Sequence, residues 1–415
     1  MNAASRTVAT AVADVVAGAL DRAGEWDHHG VLPPEVPAAL AASGILRVDV
    51  PVRFGGLGLG PATLGELCAR IGGACSALRG WVTVQSMVTA AVVRWGTDTQ
   101  RARWLPGLLD GTRQAGFAAT EEGAGTDLAA VRTRIRADGD EVRVTGRKLW
   151  VTFGGTAGLL LVLGTAAGRP TAVLVESDRP GIGREPVTGQ LGMRAAALAH
   201  VEFDDVRVPR ENVIAPYGFG LSHVAATALD HGRFTVAWGC VGMARRSLDL
   251  ATAHVVRRDR GATPLAAHQL VRAGLARMAV RTQAATELCL RAARLRAAKD
   301  PEAVAATIMA KYAAAAAASE VGGRAVQLLG AAGCAPGSAA GRMFRDAKVM
   351  EIIEGSEHIA ELHIAERLLR GQGFRSAPAA PDRPPAAPDG VPTVPDGAPR
   401  DPAPRPSRAW EESIR

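Results

Sequence analysis

Val131-Arg-Thr-Arg-Ile-Arg136, Ala137-Asp-Gly-Asp140 and Glu141-Val-Arg-Val-Thr145 follow one another as an alternating run, a turn and a second alternating run. A period of two broken by a Gly-containing turn predicts a β-hairpin. The hairpin decides the fold, because it lies mid-chain between two long stretches of helical pattern. From Gln114 to about Val213 the segments are short, rich in Val, Thr and Leu, and divided by Gly, Asp and Pro. Leu159 to Leu163, Thr171 to Glu176 and His200 to Phe203 predict further strands of the same all-β domain. Upstream, Val8 to Ala23 has apolar residues at helical spacing, and Pro33, Pro34 and Pro37 open a second helix. A loop, Gly55-Gly-Leu-Gly-Leu-Gly60, precedes helical texture from Thr63 to Leu109. Downstream, residues 219 to 372 return to Ala-rich helix, with Ala313 to Ala318 of high helix propensity. The expected order is a helical domain (1–113), a β domain (114–214), a helical domain (215–372) and a disordered tail (373–415). That tail holds 11 of the 25 prolines and its charges cancel at six of each sign, so the net +7 belongs to the rest of the chain.

A hydrophobic share of 47% is enough to bury a core, and an aromatic share of 4% argues against a base-stacking surface. Of the 48 basic residues only Lys148, Lys299, Lys311 and Lys348 are Lys. Guanidinium groups suit phosphates or an acidic partner, but no basic run of the nucleic-acid kind is present. The five cysteines are scattered without ligand spacing, which predicts reduced, mostly buried thiols in a cytoplasmic protein. Met1 to Gly30 has no signal-type apolar core, and no apolar stretch is expected to reach membrane-spanning length, so a soluble chain is expected. His28 and His29, or His358 and His363, lack metal-ligand spacing, and no metal is expected.

Singly, the residues able to carry chemistry have ordinary readings. Glu354, in Ile352-Ile-Glu-Gly-Ser356, reads as a solvated carboxylate in a helix connection with Ser356 as a cap. Held in an apolar pocket instead, it would gain a raised pKa and act as a general base. Ala119-Thr-Glu-Glu-Gly-Ala-Gly-Thr126-Asp127 reads as a Gly-containing loop, or as a small-residue surface against a planar ligand. Trp150, in Trp150-Val-Thr152, reads as core, and Arg345-Asp-Ala-Lys348 as surface helix charge. Gly330 is a plausible C-cap.

Taken in order, T-E-x-x-A-G-T-D, K-x-W-V-T, F-D-D-V-R-V-P, H-Q and R-D-A-K…E-G-S resemble the acyl-CoA dehydrogenase family over residues 10 to 370. The resemblance implies a helical N-terminal domain, a β-barrel-like middle domain and a C-terminal four-helix bundle. It implies FAD, with Ala119, Thr120, Trp150 and Thr152 at the flavin ring and Thr126 beside the pantetheine arm of the substrate. Arg258, His268, Gln269 and the segment Gln327 to Ala331, with Gly330, match the part that reaches the FAD of a neighbouring subunit, so a homodimer or homotetramer is implied. Ser356 matches an FAD-touching hydroxyl, Asp230 and Arg233 match the substrate side, and Glu354 matches the catalytic base. Hydride is expected to leave the β-carbon for the flavin, with an electron-transfer flavoprotein or O2 as final acceptor. Ala23-Gly-Glu-Trp-Asp27, Val236-Ala-Trp-Gly-Cys-Val-Gly242 and Met350-Glu-Ile-Ile-Glu354 also resemble the dehydrogenases of methoxymalonyl extender-unit biosynthesis. That implies a thioester of an acyl carrier protein, or of CoA, in a polyketide pathway, with oxidation toward a hydroxymalonyl unit. Two other readings stay open here: a non-catalytic relative that binds carrier protein as a scaffold, and a flavin monooxygenase or nitroalkane-oxidase-like relative. Departures from the family pattern fall at Arg258-Asp-Arg-Gly-Ala262, Ala195 to Leu198, and His358.

Overall fold

The computed structural model describes residues 3–260 and 263–371. The expected tail at 373–415, and Gly261 and Ala262 of the Arg258 motif, lie outside the described residues.

Five helices come first: α1 (Ala3–His29), α2 (Glu35–Ala42), α3 (Pro61–Ala74), α4 (Ser76–Trp95) and α5 (Asp98–Leu109). Pro61 begins α3, where its missing N–H costs nothing, and Thr97 with Gln100 forms a reciprocal capping box at the start of α5. One expectation fails in α1. An 18-residue window there has mean hydropathy 1.3, which makes the helix long and apolar enough to span a bilayer by length and composition alone. Exposed alanines add to the valines: Ala3, Ala4, Ala13 and Ala17 remain on the exposed face and raise the mean. The opposite stripe, Val8, Val12, Ala19, Ala23 and Trp26, is packed into the helical core.

The middle of the chain is an eight-stranded mixed sheet. Its strands are β1 (Ala115–Ala118), β2 (Arg134–Asp138), β3 (Glu141–Val151), β4 (Leu159–Ala166), β5 (Arg169–Glu176), β6 (Ile182–Pro186), β7 (Ala199–Pro209) and β8 (Val213–Ile214). The spatial order is β6-β7-β3-β2-β4-β5-β8, with β1 parallel to β4. The predicted hairpin is β2–β3, with Ile135 opposite Val144 and the turn closed by Asp138 and Glu141. β4 is apolar almost throughout because both of its faces are covered. Leu159 and Leu161 pack with Val88, Val92 and Leu108 of the helices, while Leu160 and Val162 pack with Val173, Phe203 and Val206 of the sheet. Buried Gln85 ties the two layers together. Its amide donates to the Leu108 and Arg113 carbonyls at 2.9 and 2.8 Å, and its oxygen accepts the Ala115 N–H at 2.8 Å.

A π-helical turn, Gly220–Ala225, leads into the C-terminal helices α6 (Ala226–Arg257), α7 (Gln269–Ala297), α8 (Ala303–Leu329), α9 (Ala331–Cys334), α10 (Ala339–Ile352) and α11 (Glu357–Gly371). α6, α7, α8 and α10 pack together as a bundle, and α3 docks against α6. The α3–α6 crossing is close because both faces are glycine: a Cβ added to Gly72 would lie 2.8 Å from the Gly239 Cα. Cys68, Cys75, Cys240 and Cys289 are buried and Cys334 is exposed. Burial pushes the Cys68 thiol up to about 12 and those of Cys75 and Cys240 up to about 11.

Candidate active site

Glu354 lies between α10 and α11 with φ 56°, a left-handed conformation that a side chain with Cβ adopts at a cost of about 1–2 kcal/mol. Cations hold it there. The Arg233 Nε of α6 donates to the Glu354 carbonyl at 2.9 Å, and the Lys311 Nζ of α8 donates to the Gly355 carbonyl at 2.8 Å. The residue as a whole keeps some solvent exposure, but its carboxyl Oε2 is buried and has no hydrogen-bond partner. Burial raises the Glu354 pKa to about 7, against the opposing pull of Arg233, Lys311 and Arg79. The solvated-carboxylate reading is therefore wrong for this atom. Room for it comes from a missing side chain: a Cβ on Gly232 of α6 would lie 2.7 Å from Glu354 Oε2 and 2.8 Å from Met87 Sδ.

Arg79, fully buried on α4, acts electrostatically on the same carboxyl. It donates to Thr83 Oγ1 at 3.0 Å and to Met350 Sδ at 2.9 Å, and its Nε has no partner. A Cβ on Gly239 would come within 2.8 Å of its Cδ, so two glycines one heptad apart on α6 admit the Glu354 carboxyl and the Arg79 guanidinium. Lys311 is 2% exposed, and burial lowers its pKa to about 8. Asp230, expected on the substrate side, spends Oδ2 on Arg296 at 2.6 Å, while its Oδ1 is buried without a partner. Ser356 is half-buried, and its carbonyl accepts the Ala360 N–H at 3.0 Å in the first turn of α11.

A second group gathers around β3, where the 119–126 loop meets the sheet. Buried Lys148 of β3 organises it: Nζ donates to the Ala119 carbonyl at 3.0 Å and to Glu121 Oε1 at 2.6 Å. Glu121 also accepts from the Arg132 and Thr133 N–H groups and from the Thr133 hydroxyl. Burial pushes the Glu121 carboxyl upward, but Lys148, Thr133 and Arg132 outweigh it and hold the group below its usual range. Burial lowers Lys148 to about 8. The Thr120 carbonyl accepts the Leu149 N–H at 2.9 Å, which sets the 119–126 loop against the end of β3. Ala119 is buried, Thr120 and Thr152 are half-buried, and Thr126 is exposed.

Trp150 is not core. A β-bulge between Lys148 and Val151 and a φ of 56° turn its side chain outward, leaving it 53% exposed. Its N–H donates to His200 Nδ1 at 3.2 Å, and the two rings meet edge-on at 5.5 Å. A Cβ on Gly123 would meet nothing within 4 Å, and one on Gly125 only Thr120 Cγ2 at 3.9 Å. An uncovered aromatic face beside open backbone and two threonines fits a flat heteroaromatic ring such as isoalloxazine.

The third group sits elsewhere. Arg258 follows α6, His268 and Gln269 begin α7, and Gln327 and Gly330 end α8, all at one end of the bundle. Arg258, Gln269, Gln327 and Gly330 are exposed, and the His268 Nε2 is buried without a partner. From Arg233 to Arg258 is 25 residues, or about 38 Å along the helix. One chain therefore cannot bring this group to the Glu354 carboxyl.

The ordinary reading of Arg345-Asp-Ala-Lys348 as surface charge holds for exposed Lys348 and is corrected at Asp346. Asp346 is buried, and its Oδ1 accepts the Met193 N–H at 2.7 Å, while Arg345 is paired with Asp27. The loop so held offers its Ala196 and Ala197 carbonyls to the Phe153 and Gly155 N–H groups at 2.9 and 3.0 Å, directly beyond Thr152. Arg79, Lys311 and Gly232 were given no role from sequence, and Lys148 and Asp346 stood only inside the K-x-W-V-T and R-D-A-K motifs. For two of them a signal existed: in a chain that uses Arg almost everywhere, a retained Lys is conspicuous, and Lys148 and Lys311 are two of only four.

A helical–sheet–helical chain that holds both a buried, unpaired carboxylate and a flat, ring-sized surface fits a flavin dehydrogenase class, and its domains match that class one by one. Family models for the N-terminal, middle and C-terminal acyl-CoA dehydrogenase domains match residues 2–112, 116–206 and 220–369, and the chain belongs to the acyl-CoA dehydrogenase family. It is an enzyme of that flavin-dependent family, whose members act on acyl-CoA thioesters and pass electrons to an electron-transferring flavoprotein. It is 32% identical over 354 residues to the mitochondrial short-chain specific acyl-CoA dehydrogenase of Mus musculus, covering 84% of this chain and 85% of that one. Among solved structures it is similar to FkbI, for biosynthesis of the methoxymalonyl extender unit of the FK520 polyketide. There the identity is 39% and the TM-score 0.81, over 86% of this chain and 99% of that one. It is also similar to a glutaryl-CoA dehydrogenase from Mycobacterium smegmatis in complex with FADH2, at 26% identity and TM-score 0.83, over 90% and 97% of the two chains.

Proposed function

We propose that this chain is an FAD-dependent dehydrogenase that oxidises the α,β carbons of an acyl thioester, with Glu354 as the base. One observation carries the reading: Glu354 Oε2 is buried, unpaired and tuned to about 7. A carboxyl in water is too weak a base for a thioester α-proton, and desolvation strengthens it. Arg79, Lys311 and Arg233 limit the rise, so the ionised form is available at neutral pH. The clamps on the Glu354 and Gly355 carbonyls fix where the carboxyl points, and Met87 and the α6 backbone keep water from Oε2. After reaction the α-proton rests on Glu354. FAD, held by Ala119, Thr120, Trp150, Thr152 and Ser356, supplies the acceptor for the β-hydride when it is bound.

Thr126, Asp230 and Arg233 are assigned to the substrate arm. Arg258, His268, Gln269, Gln327 and Gly330 are assigned to the FAD of a neighbouring subunit in a homodimer or homotetramer; the distance of about 38 Å along α6 between Arg233 and Arg258 supports this. Similarity to FkbI supports a place in polyketide extender-unit synthesis, with the acyl group on a carrier protein or CoA. An electron-transfer flavoprotein or O2 would take the electrons onward. Anaerobic mixing with a panel of acyl-CoA and acyl-carrier thioesters tests the reading. The purified protein should be yellow and bleach with its substrate, whereas Glu354→Gln should stay yellow and not bleach. Bleaching in that variant would place the base elsewhere.

A further inference from the structure

Val131, Thr133 and Ile135 are buried, and Arg132, Arg134 and Arg136 between them are exposed. The alternation carries the strand pattern of β2 back through Arg132. It sets three guanidinium groups on one side of the strand, about 7 Å apart over about 13 Å. The row starts at the loop to which the preceding section gives the flavin and the substrate arm. Glu121 of that loop accepts the Arg132 N–H at 2.6 Å and the Thr133 N–H at 3.0 Å.

Neighbouring strands add more arginine. Arg136 stands opposite Arg143 of β3, and Arg143 opposite Arg207 of β7, so three cations lie in register across the sheet. Like charges placed this way repel one another. The sheet offsets the repulsion on β3 and β7 but not on β2. Arg143 pairs with Asp138 at 2.6 Å and with Asp205, Arg207 lies 3.6 Å from Glu141, and Arg147 pairs with Glu185. Among the described residues no carboxylate pairs with Arg132, Arg134 or Arg136, and Asp138, the next acid along β2, is spent on Arg143.

We infer that this row docks an acidic helix of a carrier protein whose phosphopantetheine arm bears the acyl group. The inference rests on the thioester-dehydrogenase reading and names the partner that delivers the thioester. Spacing supports a helix: acids four residues apart on a helix rise about 6 Å per step, close to the step between the arginines. Placement supports a protein over a free nucleotide. The row is an exposed strand face, and its charge is spread along the strand instead of converging on one phosphate. Its start at the 119–126 loop sets the docked protein beside Thr126, the residue assigned to the substrate arm. Exposed charge pairs of this kind chiefly set the rate and orientation of encounter.

The test follows anaerobic flavin reduction in the full-length, flavin-loaded protein by one acyl group on three carriers: an acidic acyl carrier protein, CoA and pantetheine. Arg134→Glu combined with Arg136→Glu should raise the half-saturating concentration of the carrier-protein thioester by about tenfold or more and leave its limiting rate within about twofold. Both constants for the pantetheine thioester should stay as they are. Salt raised from roughly 0.05 to 0.5 M should weaken carrier-protein saturation in the native protein and have little effect in the variant. Arg134→Gln combined with Arg136→Gln should act in the same direction by less, and carries the test if charge reversal disturbs the hairpin. An unchanged half-saturation for the carrier-protein thioester overturns the assignment. So does an equal rise for the CoA thioester, which would make the row a nucleotide-phosphate site, and so does a native protein reduced by CoA and pantetheine thioesters but not by the carrier-bound one. Each of these leaves the dehydrogenase reading intact. If no thioester reduces the flavin, that reading itself fails and takes the docking row with it.

Discussion

Replacing Glu354 by Gln should stabilise the protein at alkaline pH, and the size of the effect follows from where the carboxyl sits. Burial raises its pKa from 4.5 to about 7, so the ionised form costs the folded state about 3 kcal/mol relative to the unfolded chain. Because the folded pKa is the higher one, folding takes up a proton between those two values. The contribution of the neutral carboxyl is fully present below pH 4.5 and is lost as pH rises through 7. Gln keeps the shape without the charge and loses nothing over that range. With an unfolding entropy of about 0.8 kcal/mol/K for a body of this size, 3 kcal/mol corresponds to about 4 °C. Thermal unfolding of the flavin-loaded proteins, followed at several pH values from 5 to 8.5, should show the variant gaining about 4 °C on the native protein as pH rises. A gap that stays constant with pH, or a native protein that gains on the variant, would show that Glu354 is not desolvated, and the argument for it as base would go with that.

Gly232→Ala should cut the rate of flavin bleaching by about a hundredfold with flavin content unchanged, since its Cβ displaces the carboxyl by roughly an ångström; equal rates in stopped flow would contradict the packing. Lys148→Met leaves Glu121 charged and buried without its cation, and a loss of about 3–5 kcal/mol together with release of flavin is expected from melting curves and absorbance. Lys311→Met removes the donor to the Gly355 carbonyl, so bleaching should slow while the protein stays yellow; an unaltered rate would mean the loop holds its left-handed turn unaided. Truncation after Gly371 should leave the melting temperature where it is, which differential scanning calorimetry can check.

The β2–β3 hairpin, the covered strand β4 and the helical flanks were legible because alternation and helical spacing are local signals. Glu354 was legible as an acid before a glycine, but its ordinary reading was solvation, because desolvation is imposed by Met87, Gly232 and Arg79 from other parts of the chain. The same holds for Asp346, whose partner Met193 is 153 residues away. Trp150 looked like core because the bulge that turns it outward depends on the register with β7. α1 was misjudged for a different reason: alanine contributes to hydropathy whether or not it is buried.

The distribution of sulfur has a practical consequence. Four thiols are sealed inside the helices and one, Cys334, is on the outside. A single maleimide fluorophore should therefore attach at the end of α8–α9 without any engineering, and the native protein should titrate one equivalent of Ellman's reagent. Further equivalents would appear only as the helices come apart, so the colour released over time becomes a clock for opening of the core.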